Sequence, residues 1–216
     1  MKEFSGNIIM VTRNGTIKKT ELSAYSSPRK GGIIAITLED GDELVNVAAT
    51  SGSQQMIVAT KNGLAVRFNE SDVRPVGRSA KGVRAMRLRD GDSVVGMVVA
   101  KETESFLTIT ANGYGKRSPV SDYRLISRGG SGVINIQTTG RNGPVAAVSS
   151  VTEKDDIIIV SRSGNIVRLS VLGISEIGRN TQGVRVMRLA EGDAIVSVAK
   201  VPRENGSEVL PVGSQA

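Results

Sequence analysis

One pattern is written four times along this chain, at a spacing close to 50 residues, and no other feature restricts the fold as much. Asn-Gly or Ser-Gly pairs place Gly15, Gly63, Gly113 and Gly164 at steps of 48, 50 and 51 residues. A second set, Gly32, Gly82, Gly132 and Gly183, steps by 50, 50 and 51. Two independent anchors thus report one period, the mark of a repeat architecture in which each unit buries its apolar face against a neighbour. Within each unit an apolar run (Ile8 to Val11, Met56 to Ala59, Phe106 to Ile109, Ile157 to Val160) meets the Asn-Gly or Ser-Gly turn, then a second short run. This predicts a hairpin with a two-residue turn, which needs the positive φ angles that Asn-Gly supplies. A polar loop of about a dozen residues follows. It ends at the second glycine, after which "VRAMRL" or "VINIQT" reads as a half-buried strand. A second turn, such as Asp40-Gly41-Asp42 or Asp90-Gly91-Asp92, leads to a fourth strand. Four strands in about 50 residues match a propeller blade, so the expected fold class is all-β, a propeller-like array of four-stranded blades.

The blades are expected at about residues 3–50, 51–101, 102–151 and 152–202, as a single domain over 1–202. The segment 203–216 loses the pattern and is expected to form a loose surface tail. No stretch carries a capped stripe of 3.6-residue period, which predicts almost no helix and argues against helical DNA readers. The apolar runs are too short to cross a bilayer and the N-terminus lacks a secretory pattern, so a cytoplasmic address is expected.

Histidine and cysteine are both absent from the sequence. That removes conventional zinc sites, Ser-His and Cys-His nucleophile pairs and disulfides. The 28 Lys and Arg residues outnumber 21 Asp and Glu, for a net charge of +7, which suits a polyanionic partner. Aromatic residues make up 3% of the chain, too few for base-stacking platforms, which favours duplex over single strand. The second repeat is the basic centre, with a net charge of +5 over residues 51–101.

The register of these charges is more informative than their number. After the hairpin turn come Lys18 and Lys19, then Arg67, then Lys116 and Arg117, then Arg168, all expected at exposed strand positions. The long loop repeats Arg29 and Lys30, Arg78 and Lys81, Arg128, and Arg179. Equivalent positions of a radial array share a rim, so these twelve residues are expected to form a band that follows a phosphate backbone. On that reading, charge reversal at Lys116 and Arg117, or at Arg78 and Lys81, weakens DNA binding without unfolding the domain. The glycines that close the long loop could cradle phosphate through backbone amides. A tight approach to the third strand is the preferred explanation for them. The acidic turns read as hairpin chemistry rather than as catalytic or calcium-binding carboxylates, and Tyr25 and Tyr123, at matching positions, read as packing residues.

"NGTIKKTELSAY", "NGYGKRSPVSDY" and "IGRNTQGVRVMRL" resemble the C-terminal domain of DNA gyrase A, and the resemblance runs from residue 3 to about 202. It implies a β-pinwheel, in which adjoining blades exchange strands. It also implies a basic rim that bends and wraps duplex DNA in support of negative supercoiling by a type IIA topoisomerase. The partners it implies are DNA gyrase B and, within DNA gyrase A itself, the N-terminal breakage-reunion part. It implies no membrane contact, no cofactor and no catalytic residue in this chain. Two departures stand out: four repeats where the family usually has about six, and "SSPRKGG" in place of the signature QRRGGKG. The related topoisomerase IV domain, or a propeller that binds an acidic protein, is the alternative.

Overall fold

The computed structural model describes residues 4–202, and the expected tail at 203–216 lies outside them. These residues form two compact units. The first comprises residues 4–60, 65–99 and 124–133 and holds the first two sheets; the second comprises 61–64, 100–123 and 134–202 and holds the other two. Among the described residues no helix is long and apolar enough to cross a membrane.

Each repeat opens with a hairpin: β1 (Asn7–Thr12) with β2 (Thr16–Glu21), β4 (Gln55–Thr60) with β5 (Leu64–Asn69), β8 (Ser105–Thr110) with β9 (Tyr114–Pro119), and β12 (Asp155–Ser161) with β13 (Ile166–Ser170). The turns differ in detail from a two-residue hairpin loop. Val11 pairs with Ile17 and Val160 with Ile166, and only the glycine adopts positive φ: +82° at Gly15, with Asn14 on the ordinary side. These are three-residue loops with glycine in the left-handed position, the next commonest hairpin solution. A single turn of 3-10 helix follows each hairpin, at Leu22–Tyr25, Glu70–Asp72, Val120–Asp122 and Val171–Gly173, and no longer helix occurs among the described residues. The last strand of each repeat, β3 (Leu44–Thr50), β7 (Val94–Ala100), β11 (Val145–Val151) or β15 (Ile195–Pro202), returns to the sheet beside the first. It runs antiparallel to it in the first, third and fourth repeats.

The third strand departs most from the sequence expectation. It is two residues long, at β6 (Val83–Arg84), β10 (Val133–Ile134) and β14 (Val184–Arg185), and the first repeat has none. It also joins the sheet of the preceding repeat. The sheet orders are β3-β1-β2-β6, β10-β5-β4-β7, β11-β8-β9-β14 and β13-β12-β15. Burial explains the shortness: Val83 and Arg84 are exposed, whereas Ala85 and Met86 are buried, so the run does not alternate as a strand must. After two residues the chain dives beneath the preceding hairpin. The Ala85 N–H donates to Gly15 O at 2.8 Å, Asn135 N–H to Gly63 O at 2.8 Å, and Val186 N–H to Gly113 O at 2.9 Å.

The apolar core of the second unit joins Leu107 and Ile109 to Ile157, Ile159, Val186 and Met187. Tyr123 is fully buried and packs edge-on against Phe106, with ring centroids 5.2 Å apart, and its hydroxyl donates to Asn135 Oδ1 at 2.6 Å. The acidic turns brace the hairpins. Asp42 accepts the Asn14 N–H at 2.9 Å, and Asp193 accepts the Ser163 N–H at 3.0 Å. Hydrogen bonds led by the Ser163 hydroxyl hold the Asp193 carboxyl well below the usual carboxylate range.

Candidate nucleic-acid interface

The basic residues that follow the hairpin turn are expected from sequence to be exposed, and five of the six are buried. Lys116 is 0% exposed, Lys18 1%, and Lys19, Arg67 and Arg117 5% each. Lys18 Nζ donates to Ala35 O at 2.7 Å and to Arg78 O. Lys116 Nζ donates to Gly178 O at 2.8 Å, to Arg179 O at 2.7 Å and to Ser118 Oγ at 3.1 Å. Lys19 Nζ reaches Glu70 O at 3.1 Å and pairs with the Glu70 carboxylate at 3.7 Å, itself buried. Arg67 Nε donates to Gln55 Oε1 at 2.8 Å, and Arg117 Nε to Ile174 O at 2.7 Å.

The cause is the neighbouring repeat. Backbone bridges join Lys19 to Pro75, Arg67 to Leu125 and Arg117 to Glu176, so the corner of each following repeat covers the outer face of the strand before it. Lys18, Lys19, Lys116 and Arg117 tie the strand to that corner by donating to its carbonyls, Arg78 O, Glu70 O, Gly178 O with Arg179 O, and Ile174 O respectively. Arg168 occupies the same register without a following corner among the described residues. Its side chain is 42% exposed and pairs with Asp156 at 2.9 Å.

Burial pushes the Lys116 amine down to about 8, with the Arg179 charge adding to the shift. Because this folded value lies below the unfolded 10.5, the cost of a buried charge is present below about pH 8 and is relieved as pH rises towards 10.5. The wild type is therefore expected to gain stability relative to Lys116→Met across that window, measured by urea unfolding, with Nζ titrating near pH 8 by 15N NMR. An Nζ that titrates at the ordinary lysine value would overturn this.

The loop cations divide into two groups. Arg78, Arg128 and Arg179 form a repeated bracket: Arg78 Nη1 donates to Ile34 O at 3.2 Å, Arg128 Nη1 to Arg84 O at 3.1 Å, and Arg179 Nη1 to Ile134 O at 2.7 Å. They are half-buried, and the Arg179 guanidinium also lies 5.8 Å from the Tyr123 ring centroid. Arg29, Lys30 and Lys81 are exposed, and Lys81 makes only a loose 3.7 Å pair with Glu39.

Further arginines, on the other side of the corner glycine, are not among the cations that sequence register singles out. Arg84, Arg87, Arg185 and Arg188 are all exposed. Their signal is the shared "GVRAMRL" and "GVRVMRL" of repeats two and four, which by pattern reads only as strand. Lys81, Arg84 and Arg87 line one open cleft of about 630 Å³ in the first unit, with Glu39 and Asp42 also on its walls. In the second unit Arg185 Nη2 and Arg141 Nε donate to the Tyr114 hydroxyl at 3.0 and 3.3 Å. Of the twelve cations expected on one rim, five lie buried beneath corners, three bracket neighbours, Arg168 is paired, and Arg29, Lys30 and Lys81 are exposed.

Hairpin repeats whose fourth strand is lent by the next unit define an all-β fold of the β-pinwheel, propeller-like class. The family model described as "DNA gyrase C-terminal domain, beta-propeller" matches residues 6–51, 54–101, 104–152 and 155–202, and the chain belongs to this family. It is 55% identical over 198 residues to the DNA gyrase A protein of Halalkalibacterium halodurans, covering 92% of this chain and 24% of that protein. It is 43% identical over 204 residues to the DNA gyrase A protein of Salmonella typhimurium, covering 94% and 23%. The chain thus spans about a quarter of the length of these relatives. Among solved structures, a DNA gyrase A C-terminal domain superposes with a TM-score of 0.83 at 30% identity, covering 93% of this chain and 68% of that one. The C-terminal domain of a DNA topoisomerase IV gives 0.88 at 29% identity, covering 94% and 64%.

Proposed function

We propose that this chain binds duplex DNA without sequence preference and bends or wraps it, as the non-catalytic C-terminal domain of a cytoplasmic DNA gyrase A. In that role it works beside the breakage-reunion part of the same polypeptide, together with DNA gyrase B, in negative supercoiling. The observation that supports this best is the set of exposed cations at the corners and beyond the corner glycines, Arg29, Lys30, Lys81, Arg84, Arg87 and Arg185, on a chain of the gyrase C-terminal family. Phosphate contact by cations is independent of sequence and releases counterions. Several such contacts can offset the roughly 1–6 kcal/mol needed to bend 20–30 base pairs by 40–90°. The buried Lys18, Lys19, Arg67, Lys116 and Arg117 serve this function through the architecture, beneath the corners that carry the exposed charges. The TM-score of 0.88 favours a topoisomerase IV-type domain as the second reading.

The test is DNA topology after ligation of nicked circles with increasing protein, beside a salt series of duplex binding. A linking-number shift with steep salt dependence is expected. Removing Arg84 and Arg87 together should flatten the log–log salt slope by about 2 and leave the unfolding midpoint in place. Duplex affinity that does not respond to salt would sink the proposal and point to a protein partner.

A further inference from the structure

The third repeat breaks the charge pattern of the second turn. Asp40, Asp90 and Glu191 open that turn in the other repeats and Asp42, Asp92 and Asp193 close it, whereas the third repeat has Arg141 and Gly143 at these places. Asparagines take over the bracing. Asn142 is fully buried and donates to Gln137 O at 2.8 Å and to Gln182 O at 3.0 Å. Asn112 Nδ2 donates to Gly140 O at 3.2 Å and to Arg141 O at 3.3 Å. The backbone on both sides of Arg141 is therefore fixed without a carboxylate.

Arg141 meets Arg185 at Tyr114. Arg185 stands directly opposite Tyr114 in the β9–β14 pair, so the hairpin of the third repeat and the corner of the fourth both contribute. The two guanidiniums lie 5.0 and 5.5 Å from the Tyr114 ring centroid, and both donate to its hydroxyl. Tyr114 is buried, whereas both arginines are exposed. The first unit is built differently: Thr16 stands opposite Arg84, whose cleft also holds Glu39 and Asp42. Leu64 and Asn165 take the place of Tyr114 in the second and fourth repeats.

Two guanidiniums gathered on one neutral hydroxyl repel each other, and among the described residues neither pairs with a carboxylate. The positive field acts on the phenol, whose pKa the hydrogen bonds from Arg185 and Arg141 lower from its ordinary value. A bound anion relieves the repulsion. Each guanidinium has five N–H donors and spends one on Tyr114, leaving others for phosphate oxygens in the forked geometry that arginine favours. We infer that Arg141 and Arg185 form one phosphate site for the DNA backbone, with Tyr114 as the positioning residue that holds both cations before the duplex arrives. The inference rests on the duplex-binding function proposed for this chain. Side chains ordered in advance lose less freedom on binding, so Tyr114 raises affinity without adding a charge.

The test is duplex binding by the full chain across a salt series, with a short labelled duplex of mixed sequence. Arg141→Gln and Arg185→Gln should each flatten the log–log salt slope by about 1, and together by about 2. Tyr114→Phe keeps the ring and removes the shared hydroxyl. It should weaken binding about threefold to tenfold, at the slope and unfolding midpoint of wild type. Once both arginines are replaced, the same substitution should have no further effect, because Tyr114 acts only through them. Wild-type affinity for Tyr114→Phe, or an equal loss with and without the arginines, would overturn the positioning role. Unchanged slopes in both arginine variants would overturn the site while leaving duplex binding in place. A wild type that ignores salt would overturn the duplex-binding function and this site with it.

Discussion

Replacing Lys116 by Met is expected to destabilise the protein by about 1–3 kcal/mol, although it removes a charge from a strongly basic chain. The ammonium is fully buried and satisfies Gly178 O, Arg179 O and the Ser118 hydroxyl, at 2.8, 2.7 and 3.1 Å. A methionine fills similar space but gives up all three bonds, at about 0.5–1.5 kcal/mol each, while Gly178 O still accepts from the Thr181 hydroxyl at 3.1 Å and Arg179 O from the Thr181 N–H at 2.9 Å. The relief from burying a charge offsets part of that loss. Lys116→Glu is expected to be worse, since a carboxylate would face the same carbonyls. Sequence register alone predicts that charge reversal here weakens DNA binding while the fold survives. Because the side chain is buried, a loss of binding by Lys116→Glu is instead expected to accompany unfolding. Urea unfolding and duplex binding measured on the same samples separate the two effects. A midpoint for Lys116→Met within error of wild type would show that the corner does not depend on this lysine.

Gly132→Ala is expected to cost more than about 3 kcal/mol, and Gly32→Ala only about 1. Both residues have positive φ, +74° and +79°, so both carry the penalty of forcing a side chain into the left-handed region. They differ in what an added methyl meets. At Gly132 it would lie 2.4 Å from Ala65 O and 2.9 Å from the carbonyl carbon, main-chain atoms of a paired strand that cannot step aside. At Gly32 it meets nothing within 4 Å. The difference between the two variants therefore measures the close contact between adjoining repeats, free of the intrinsic backbone cost. Equal losses in a denaturant titration would mean that these glycines are needed only for their dihedral angles.

Those two residues also mark how far the sequence is legible. The period, the hairpins, the bracing role of the acidic turns, the packing role of Tyr123 and the near absence of helix can all be read from it, because each rests on local chemistry. Apolar runs of strand length, a glycine where the turn needs positive φ and an aspartate beside its own turn act within one repeat. The third strand is misjudged because its partner lies in another repeat. "VRAMRL" looks half-buried from its composition, but its first two residues extend a neighbour's sheet and the next two plunge beneath a neighbour's hairpin.

The same physics separates the cations. A lysine at a strand position reads as solvent-facing unless something covers it, and the cover over Lys18, Lys19, Arg67, Lys116 and Arg117 comes from a corner more than fifty residues away along the chain. Arg168, in the same register but without a covering corner among the described residues, shows a half-exposed side chain where the other sites of that register are buried. Sequence by itself therefore determined the repeat, the strand class and the family, since these are set by local pattern and its periodic return. Tertiary structure alone decided which basic residues face solvent, because burial of a charge depends on whether a distant segment supplies carbonyls to receive it.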